Sequence, residues 1–253
     1  DPPYKLCDYK PAYGYIFAEY AHGYDYWGHC DMTDCIFGNL RKFLSDDFLS
    51  GADKFMFLGH MTLYRNTDEI NRRIFEDVSF RENNLQKIFG SKRNCAFDEL
   101  NPTSINTIYL EHGWQIKRFD EMYADMNALE KNFVTSKYDR DFRYQRISEG
   151  KHIFEWSSGT LTDWTLHKDG LLTSQELGYA HFQKRYMENK VTNPNKFCIV
   201  PNTYIDAPKE IEIIFVRKHT SYCRYMYPQY YKLRYKNLKF KIKNNIKFFS
   251  HDR

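Results

Sequence analysis

The sequence predicts an α/β fold. Short apolar and aromatic runs of strand length alternate with segments whose apolar residues recur at helical spacing. The chain has 253 residues, enough for one large domain or two small ones with a substantial core. Aromatic residues make up 18% of it, far too many for a disordered chain. Helices and strands in alternation are typical of a sheet covered by helices.

The predicted helices begin and end at residues that suit helix termini. The first begins near Pro11 and ends near Gly23, because proline fits a first turn and glycine fits a C-terminus. Thr67 is a plausible N-cap for a later helix, and Gly113 stops another. The further helices are predicted over residues 39–44, 69–75, 85–89 and 102–111.

The predicted strands are short apolar runs bounded by turn residues. A hairpin is expected where residues 153–156 and 161–164 flank the turn sequence Ser157-Ser158-Gly159. The other predicted strands are Tyr24–Cys30, Lys54–Gly59 and Gly178–Phe182, with extended backbone at residues 114–116.

Charge and cysteine content narrow the class of protein. A net charge of +4 favours anionic ligands or surfaces over a dedicated nucleic-acid binder. Six cysteines without a CxxC pair predict reduced thiols in a cytoplasmic protein. No apolar run approaches the roughly 20 residues that a bilayer crossing needs, and no signal peptide is visible. Because the first residue is Asp, we expect a processed chain or a fragment.

The composition changes beyond about residue 190. Basic residues from Lys232 to Lys247 alternate with aromatic and aliphatic ones, and no acid occurs between Lys232 and Ser250. We therefore predict a main domain over residues 1–190 and an extension over residues 191–253. The basic tail could lie on an anionic membrane or contact a polyanionic glycan or nucleic acid. It could equally be a solvated tail.

Asp31 and Asp34 lie at the predicted exit of a buried strand, within Trp27-Gly28-His29-Cys30-Asp31-Met32-Thr33-Asp34-Cys35-Ile36-Phe37-Gly38. Mg²⁺ and Mn²⁺ bind carboxylate oxygens together with substrate phosphates. The pair therefore suggests a cation site. Alternatively, one Asp caps the next helix and the other is merely exposed.

Two further segments carry candidate site residues. His181 could be a third metal ligand, and Lys184 and Arg185 could bind diphosphate oxygens. The alternative is a histidine at a strand end followed by an ordinary basic loop. Asp98 or Glu99 could act as a general base, or both could simply favour a helix N-terminus. Residues 59–66 could hydrogen-bond an acceptor sugar, with Tyr64 stacking on it, or could form a surface loop.

Common nucleotide and hydrolase motifs are missing. The chain contains no G-x-G-x-x-G, no G-x-x-x-x-G-K-[ST] and no G-x-S-x-G. This argues against a dinucleotide oxidoreductase, a P-loop NTPase and an esterase.

Several segments taken in order resemble a bacterial glycosyltransferase-like family from surface-polysaccharide gene clusters. They are residues 4–14, 27–38 and 59–66 and His181-Phe182-Gln183-Lys184-Arg185, spanning roughly residues 4 to 187. The resemblance implies a Rossmann-like GT-A fold with an Asp-x-Asp metal motif, Mn²⁺ or Mg²⁺, and a nucleoside diphosphate sugar donor. Such folds begin with about three strands that form the nucleobase pocket, and this chain starts after them.

The resemblance also implies roles for individual residues. Asp31 and Asp34 correspond to the metal motif, although two residues separate them where the usual motif has one. His181 would complete the metal shell. Asp8 and Lys10 would lie near the nucleotide. Asp98 or Glu99 would be the base of an inverting enzyme.

The resulting hypothesis is a cytoplasmic, metal-dependent glycosyltransferase in surface-polysaccharide or capsule synthesis. Its acceptor would be a glycan or a lipid-linked glycan, and its tail could hold it at the inner membrane face. The alternative is a non-catalytic glycan-binding or scaffold module. A nucleic-acid-binding protein is disfavoured, because acids at the site would repel phosphates unless a metal is present.

Overall fold

The computed structural model shows a mixed α/β protein whose described residues form three sheets, which confirms the predicted α/β class. It describes residues 3–77, 85–99, 102, 104–139, 144–147, 150–183, 185–221, 231–239 and 242. Contacts divide the chain into two compact units, Asp1–Thr33 with Arg41–Asp120 and Asp34–Leu40 with Glu121–Arg253. The boundary predicted at residue 190 falls inside the second unit.

The strands of the described residues are β1 Tyr26–Cys30, β2 Cys35–Phe37, β3 Lys54–Phe55, β4 Met61–Arg65, β5 Ile116–Lys117, β6 Tyr123–Met126, β7 Thr135–Tyr138, β8 Tyr144–Ile147, β9 Gly150–Ser157, β10 Thr160–His167, β11 Leu172–Leu177, β12 Tyr179–His181, β13 Glu188–Lys190, β14 Lys196–Val200 and β15 Thr203–Asp206.

The α-helices are short. They are α1 Tyr13–Ile16, α2 Ala18–Ala21, α3 Asp46–Leu49, α4 Asp68–Arg72, α5 Leu85–Gly90, α6 Ile105–Glu111 and α7 Ile213–Ser221. Turns of 3₁₀ helix occupy Pro3–Ala12, Leu40–Lys42, Arg73–Phe75 and Asp120–Met122. Residues 231–239 are also helical. No helix in the described part of the chain combines the length and the hydropathy that a bilayer crossing requires.

The first unit is built on a four-stranded sheet in the order β1-β4-β3-β5. Strand β4 is antiparallel to both of its neighbours, and β5 runs parallel to β3. Helices α4, α5 and α6 supply Ile70, Ile88, Ile105 and Ile108 to the core that lies against this sheet. Thr67 caps α4 by accepting from the Ile70 amide, as predicted.

One prediction for the first unit was wrong, and another was confirmed only in part. Residues 61–65 form the inner strand β4 and not a loop. Three of these five residues are buried and the other two are partly buried, so the strand has no solvent-exposed face that the sequence could show as polar. Tyr64 stacks on Trp27 with ring centroids 4.5 Å apart and is 3% exposed, which removes it as a sugar-stacking side chain. The helix predicted from Pro11 to Gly23 is confirmed in part, because α1 and α2 occupy most of that span while Pro11 itself lies in the preceding 3₁₀ segment.

The second unit contains a five-stranded sheet, β2-β12-β6-β7-β8, and a six-stranded sheet, β11-β10-β9-β14-β15-β13. Side chains from both sheets share one core, which includes Met126, Phe154, Ala180 and Ile199. The predicted hairpin is confirmed, because β9 and β10 pair from Ser157 and Thr160 outward. Strands β14 and β15 belong to the six-stranded sheet together with this hairpin, although they lie beyond residue 190.

Candidate functional site

The first candidate site is formed by strand ends in the second unit. His181 is the last residue of β12, and it is paired in register with Cys35 of β2 and with Asp125 of β6. Asp34 immediately precedes β2, and its backbone carbonyl accepts from the Phe182 amide at 2.7 Å. Strand pairing thus brings two carboxylates and a thiol beside one imidazole. We call Asp34, Cys35, Asp125 and His181 the His181 site.

Within the His181 site, the imidazole bridges the two carboxylates. Nδ1 lies 2.8 Å from Asp125 Oδ1, and Nε2 lies 3.6 Å from Asp34 Oδ2. Gln183 donates to both oxygens of Asp125 at 3.0 and 3.1 Å. Asp125 is buried, whereas the Asp34 side chain is 26% exposed. A carboxylate at Nδ1 orients the ring of a histidine, so Nε2 is the ring nitrogen directed towards the more accessible Asp34.

The charges around His181 favour a cation there. Burial by itself lowers the pKa of His181, but hydrogen bonds and charge from Asp125 and Asp34 outweigh it and raise the pKa to about 9. The imidazole therefore carries a proton at neutral pH between the two acids. A divalent cation bound at Nε2 would take the place of the proton on that nitrogen, so metal binding there would release a proton.

The donor atoms of the His181 site fit a divalent metal ion. One ligand atom each from Asp34, Cys35 and His181 lie within 4.8 Å of one another. Two ligands held about 2.1 Å from one ion stand about 3 Å apart or slightly more, close to the spacing of the Asp34 and His181 atoms. Carboxylate and imidazole suit Mn²⁺, whereas a thiolate from Cys35 would favour Zn²⁺.

Sequence reasoning paired Asp34 with His181 but missed Asp125 and Cys35 as neighbours. A detectable signal was an acid inside the otherwise apolar run Tyr123-Ala124-Asp125-Met126. A carboxylate in such a strand needs a buried partner, since an unpaired charge there would be strongly destabilising. The predicted role of Asp34 and His181 as metal ligands stays a prediction.

The second candidate site lies in the first unit and surrounds Lys10. Its Nζ donates to Asp31 Oδ1 at 2.6 Å and to the Gly59 carbonyl at 2.9 Å, and it lies 3.6 Å from Asp98 Oδ2. Burial opposes the charged form, but the hydrogen bond and charge of Asp31 outweigh it, so the pKa of Lys10 is raised. The structure thus brings together Lys10, Asp31 and Asp98. We call these three residues the Lys10 cluster.

Asp31 therefore has a cationic partner within its own unit. The ion pair with Lys10 neutralises the carboxylate that was predicted to bind metal, while Asp34 lies in the second unit beside His181. Of the two acids in the D-x-x-D pattern, the observed contacts favour Asp34 as a ligand. The two acids belong to different units, although only two residues separate them.

Asp98 and Glu99 lie beside Gly59. Burial and the neighbouring charge of Glu99 raise the pKa of Asp98 to about 7, although Lys10 acts in the opposite direction. Glu99 Oε1 accepts from the Gly59 amide at 3.2 Å. A carboxyl with a pKa near 7 can accept and return a proton at physiological pH. Of the two predicted bases, Asp98 has the more suitable environment.

Asp8 is completely buried and anchors another segment of the first unit. Its oxygens accept from the backbone amides of Cys95 and Phe97 at 2.9 to 3.1 Å, and Lys5 Nζ donates to it at 2.8 Å. These bonds hold the chain that leads to Asp98. They assign Asp8 a structural role, and its predicted contact with a nucleotide stays a prediction.

Arg185 also makes structural contacts. Its guanidinium donates to the backbone carbonyls of Asn127, Glu130, Lys131 and Asn132 and to Asn202 Oδ1, at 2.7 to 3.3 Å. These bonds hold the turn that follows β6, and the predicted contact with a diphosphate stays a prediction. Lys184, its predicted partner, lies outside the described residues.

Fold and site together define a mixed α/β protein with a carboxylate–histidine–carboxylate site at strand ends. Residues 1–208 match the family of unknown function (DUF6625), and the chain belongs to that family. No curated protein and no solved structure matches the chain.

Proposed function

We propose that this protein is a divalent-cation-dependent glycosyltransferase. It would transfer a sugar from a nucleoside diphosphate donor to a hydroxyl of a glycan or lipid-linked glycan. The observation that carries the proposal is the contact of His181 with Asp34 on one side and Asp125 on the other. A buried carboxylate that orients a histidine towards a more exposed carboxylate is a common arrangement in metal centres.

The residues of the His181 site have separate roles in this proposal. Asp34 and His181 hold the cation, and Asp125 orients the imidazole with the help of Gln183. A bound Mn²⁺ or Mg²⁺ supplies positive charge that stabilises a departing nucleoside diphosphate. Asp34 carries a negative charge that attracts the cation, and its partial exposure leaves the site accessible to substrate.

More specifically, we propose a glycosyltransferase of the GT-A type that takes part in surface-polysaccharide synthesis in the cytoplasm. It is supported by the ordered sequence resemblance over residues 4–187.

Donor hydrolysis with and without Mn²⁺ tests the proposal. We expect a panel of nucleoside diphosphate sugars to include one that is hydrolysed only when the cation is present. Asp34→Asn and His181→Gln should each lower the rate by at least 100-fold. The matched control is the buried pair of His152 and Asp163, whose Nδ1 and Oδ2 atoms lie 3.0 Å apart on β9 and β10.

His152→Gln or Asp163→Asn removes a similar buried contact between a histidine and a carboxyl group in the same unit, and it should leave the Mn²⁺ dependence intact. Turnover that persists unchanged in Asp34→Asn would rule out the proposed role of the site. Glycan binding that needs no metal and is accompanied by no turnover would favour the alternative of a non-catalytic glycan-binding module.

A further inference from the structure

The helix at residues 231–239 exposes a stripe of large apolar side chains. Tyr231, Tyr235 and Leu238 are 49%, 67% and 56% exposed, and Ile242, which also has helical backbone, is 50% exposed. Steps of four and three residues place Tyr231, Tyr235 and Leu238 within about 60° of one another around the helix at residues 231–239. A continuous exposed apolar stripe is a feature of interaction surfaces, whereas isolated exposed apolar residues are ordinary.

One position of the helix is less exposed than the others. Leu233 lies about half a turn away from the stripe and is partly buried. Arg234, at an exposed position, bonds the helix to the second unit, because its Nη2 donates to the Leu129 carbonyl at 3.1 Å. The apolar stripe is therefore on the side opposite Leu233.

The charges beside the stripe are all positive. Lys232, Lys236 and Lys239 are exposed and lie on one flank of it. The sequence from Lys232 to Phe249 contains no acidic residue. An apolar stripe bordered by lysines matches the interface of an anionic bilayer, where the apolar side chains enter the acyl boundary and the ammonium groups stay near lipid phosphates.

We infer that this helix binds the surface of an anionic membrane through Tyr235, Leu238 and the flanking lysines. Tyrosine favours the headgroup level of a bilayer, because its ring is apolar and its hydroxyl is polar. A nucleic acid is the weaker candidate, since the aliphatic Leu238 and Ile242 offer no ring on which bases stack. The inference does not depend on the proposed function and would hold for a protein without enzymatic activity.

Co-sedimentation of the full chain with vesicles tests this inference. Vesicles that mix phosphatidylglycerol with phosphatidylcholine should bind the protein, and vesicles of phosphatidylcholine alone should bind it at least ten-fold more weakly. Tyr235→Ser with Leu238→Ser should reduce binding to the anionic vesicles by more than ten-fold. Changing Lys232, Lys236 and Lys239 to Gln should reduce it by about 100-fold, at roughly five-fold per lysine.

The matched control replaces two exposed apolar residues elsewhere in the second unit. Leu171 and Ile214 are 58% and 74% exposed, and Leu171→Ser with Ile214→Ser should leave vesicle binding unchanged. Circular dichroism shows whether each variant keeps the folded signal. Equal binding to neutral and anionic vesicles would overturn the inference, and so would full binding by a folded stripe variant. Retention on single-stranded DNA without vesicle binding would overturn it in favour of a nucleic acid.

Discussion

His181 Nδ1 lies 2.8 Å from Asp125 Oδ1, although the two residues are 56 positions apart in the chain. The contact arises because β12 and β6 are parallel neighbours and these two residues are opposite one another in the register. The buried carboxylate holds the imidazole in one orientation. It thereby determines which ring nitrogen is directed at Asp34, and hence where a cation can bind.

Replacing Asp125 should weaken metal binding without removing a ligand. Asp125→Asn keeps the size of the side chain but loses the charge that orients His181. We expect the affinity for Mn²⁺ to fall by about 10- to 100-fold, as is usual when the hydrogen-bond partner of a metal-bound histidine is lost. Isothermal titration with Mn²⁺ measures the change. Asp163→Asn should bind Mn²⁺ like the wild type, and an unaltered affinity in Asp125→Asn would refute the orienting role.

Stability should depend on pH through Asp98. Its pKa is raised from 3.8 to about 7, chiefly by burial and secondarily by Glu99. Between these values the folded state holds a proton that the unfolded chain has released. The contribution to stability is therefore full below about pH 4 and is lost as the pH rises through 7.

Asp98→Asn should remove this dependence, which amounts to a few kcal/mol in the free energy of unfolding. Urea denaturation at a series of pH values between 4 and 7 measures it. The wild-type free energy should fall across this range more steeply than that of Asp98→Asn. Asp47→Asn, at an exposed position in α3, should keep the wild-type slope. Parallel slopes for the wild type and Asp98→Asn would disprove the prediction.

Gly59 should tolerate no side chain. A Cβ at this position would lie 2.8 Å from Asp98 Cγ and 2.9 Å from Glu99 Cγ. The backbone cannot easily retreat, because the Gly59 carbonyl accepts from Lys10 and its amide donates to Glu99. Gly59→Ala should lower the free energy of unfolding by about 1–3 kcal/mol, the usual cost of overpacking.

Gly90 provides the control for that substitution. A Cβ there would have no heavy atom within 4 Å. Since alanine is the better helix former, Gly90→Ala at the end of α5 should be neutral or slightly stabilising in thermal melts. Equal melting temperatures for the two alanine variants would show that the packing around Gly59 is looser than the structure indicates.

Arg185→Lys should lower the free energy of unfolding and leave the binding of a nucleoside diphosphate sugar unchanged. Lysine keeps the positive charge but cannot reach four carbonyls and an amide oxygen from one planar group. We expect the free energy of unfolding to fall by about 2–4 kcal/mol, with the KM for donor unchanged. Arg72→Lys, at an exposed pair with Asp68, should melt like the wild type. A raised KM together with normal stability would instead place Arg185 at a diphosphate.

The sequence alone determined the elements whose signals are local. The N-cap at Thr67, the hairpin around Ser158 and Gly159, and the strand that ends at Cys30 were all predicted from adjacent residues. Turn chemistry and capping depend on neighbours in the chain, so they can be read from a short window. Strand β4 was missed because it has buried residues on both faces and therefore lacks the alternation that indicates a strand.

Only the tertiary structure decided how the candidate residues are partnered. Asp31 and Asp34 are three positions apart, yet one pairs with Lys10 in the first unit and the other lies beside His181 in the second. Asp125 reaches His181 through the register of two parallel strands, which no local pattern encodes. Strand pairing depends on the summed packing of the whole sheet, and for that reason the sequence supplied the residue types of the site while the fold selected which of them meet.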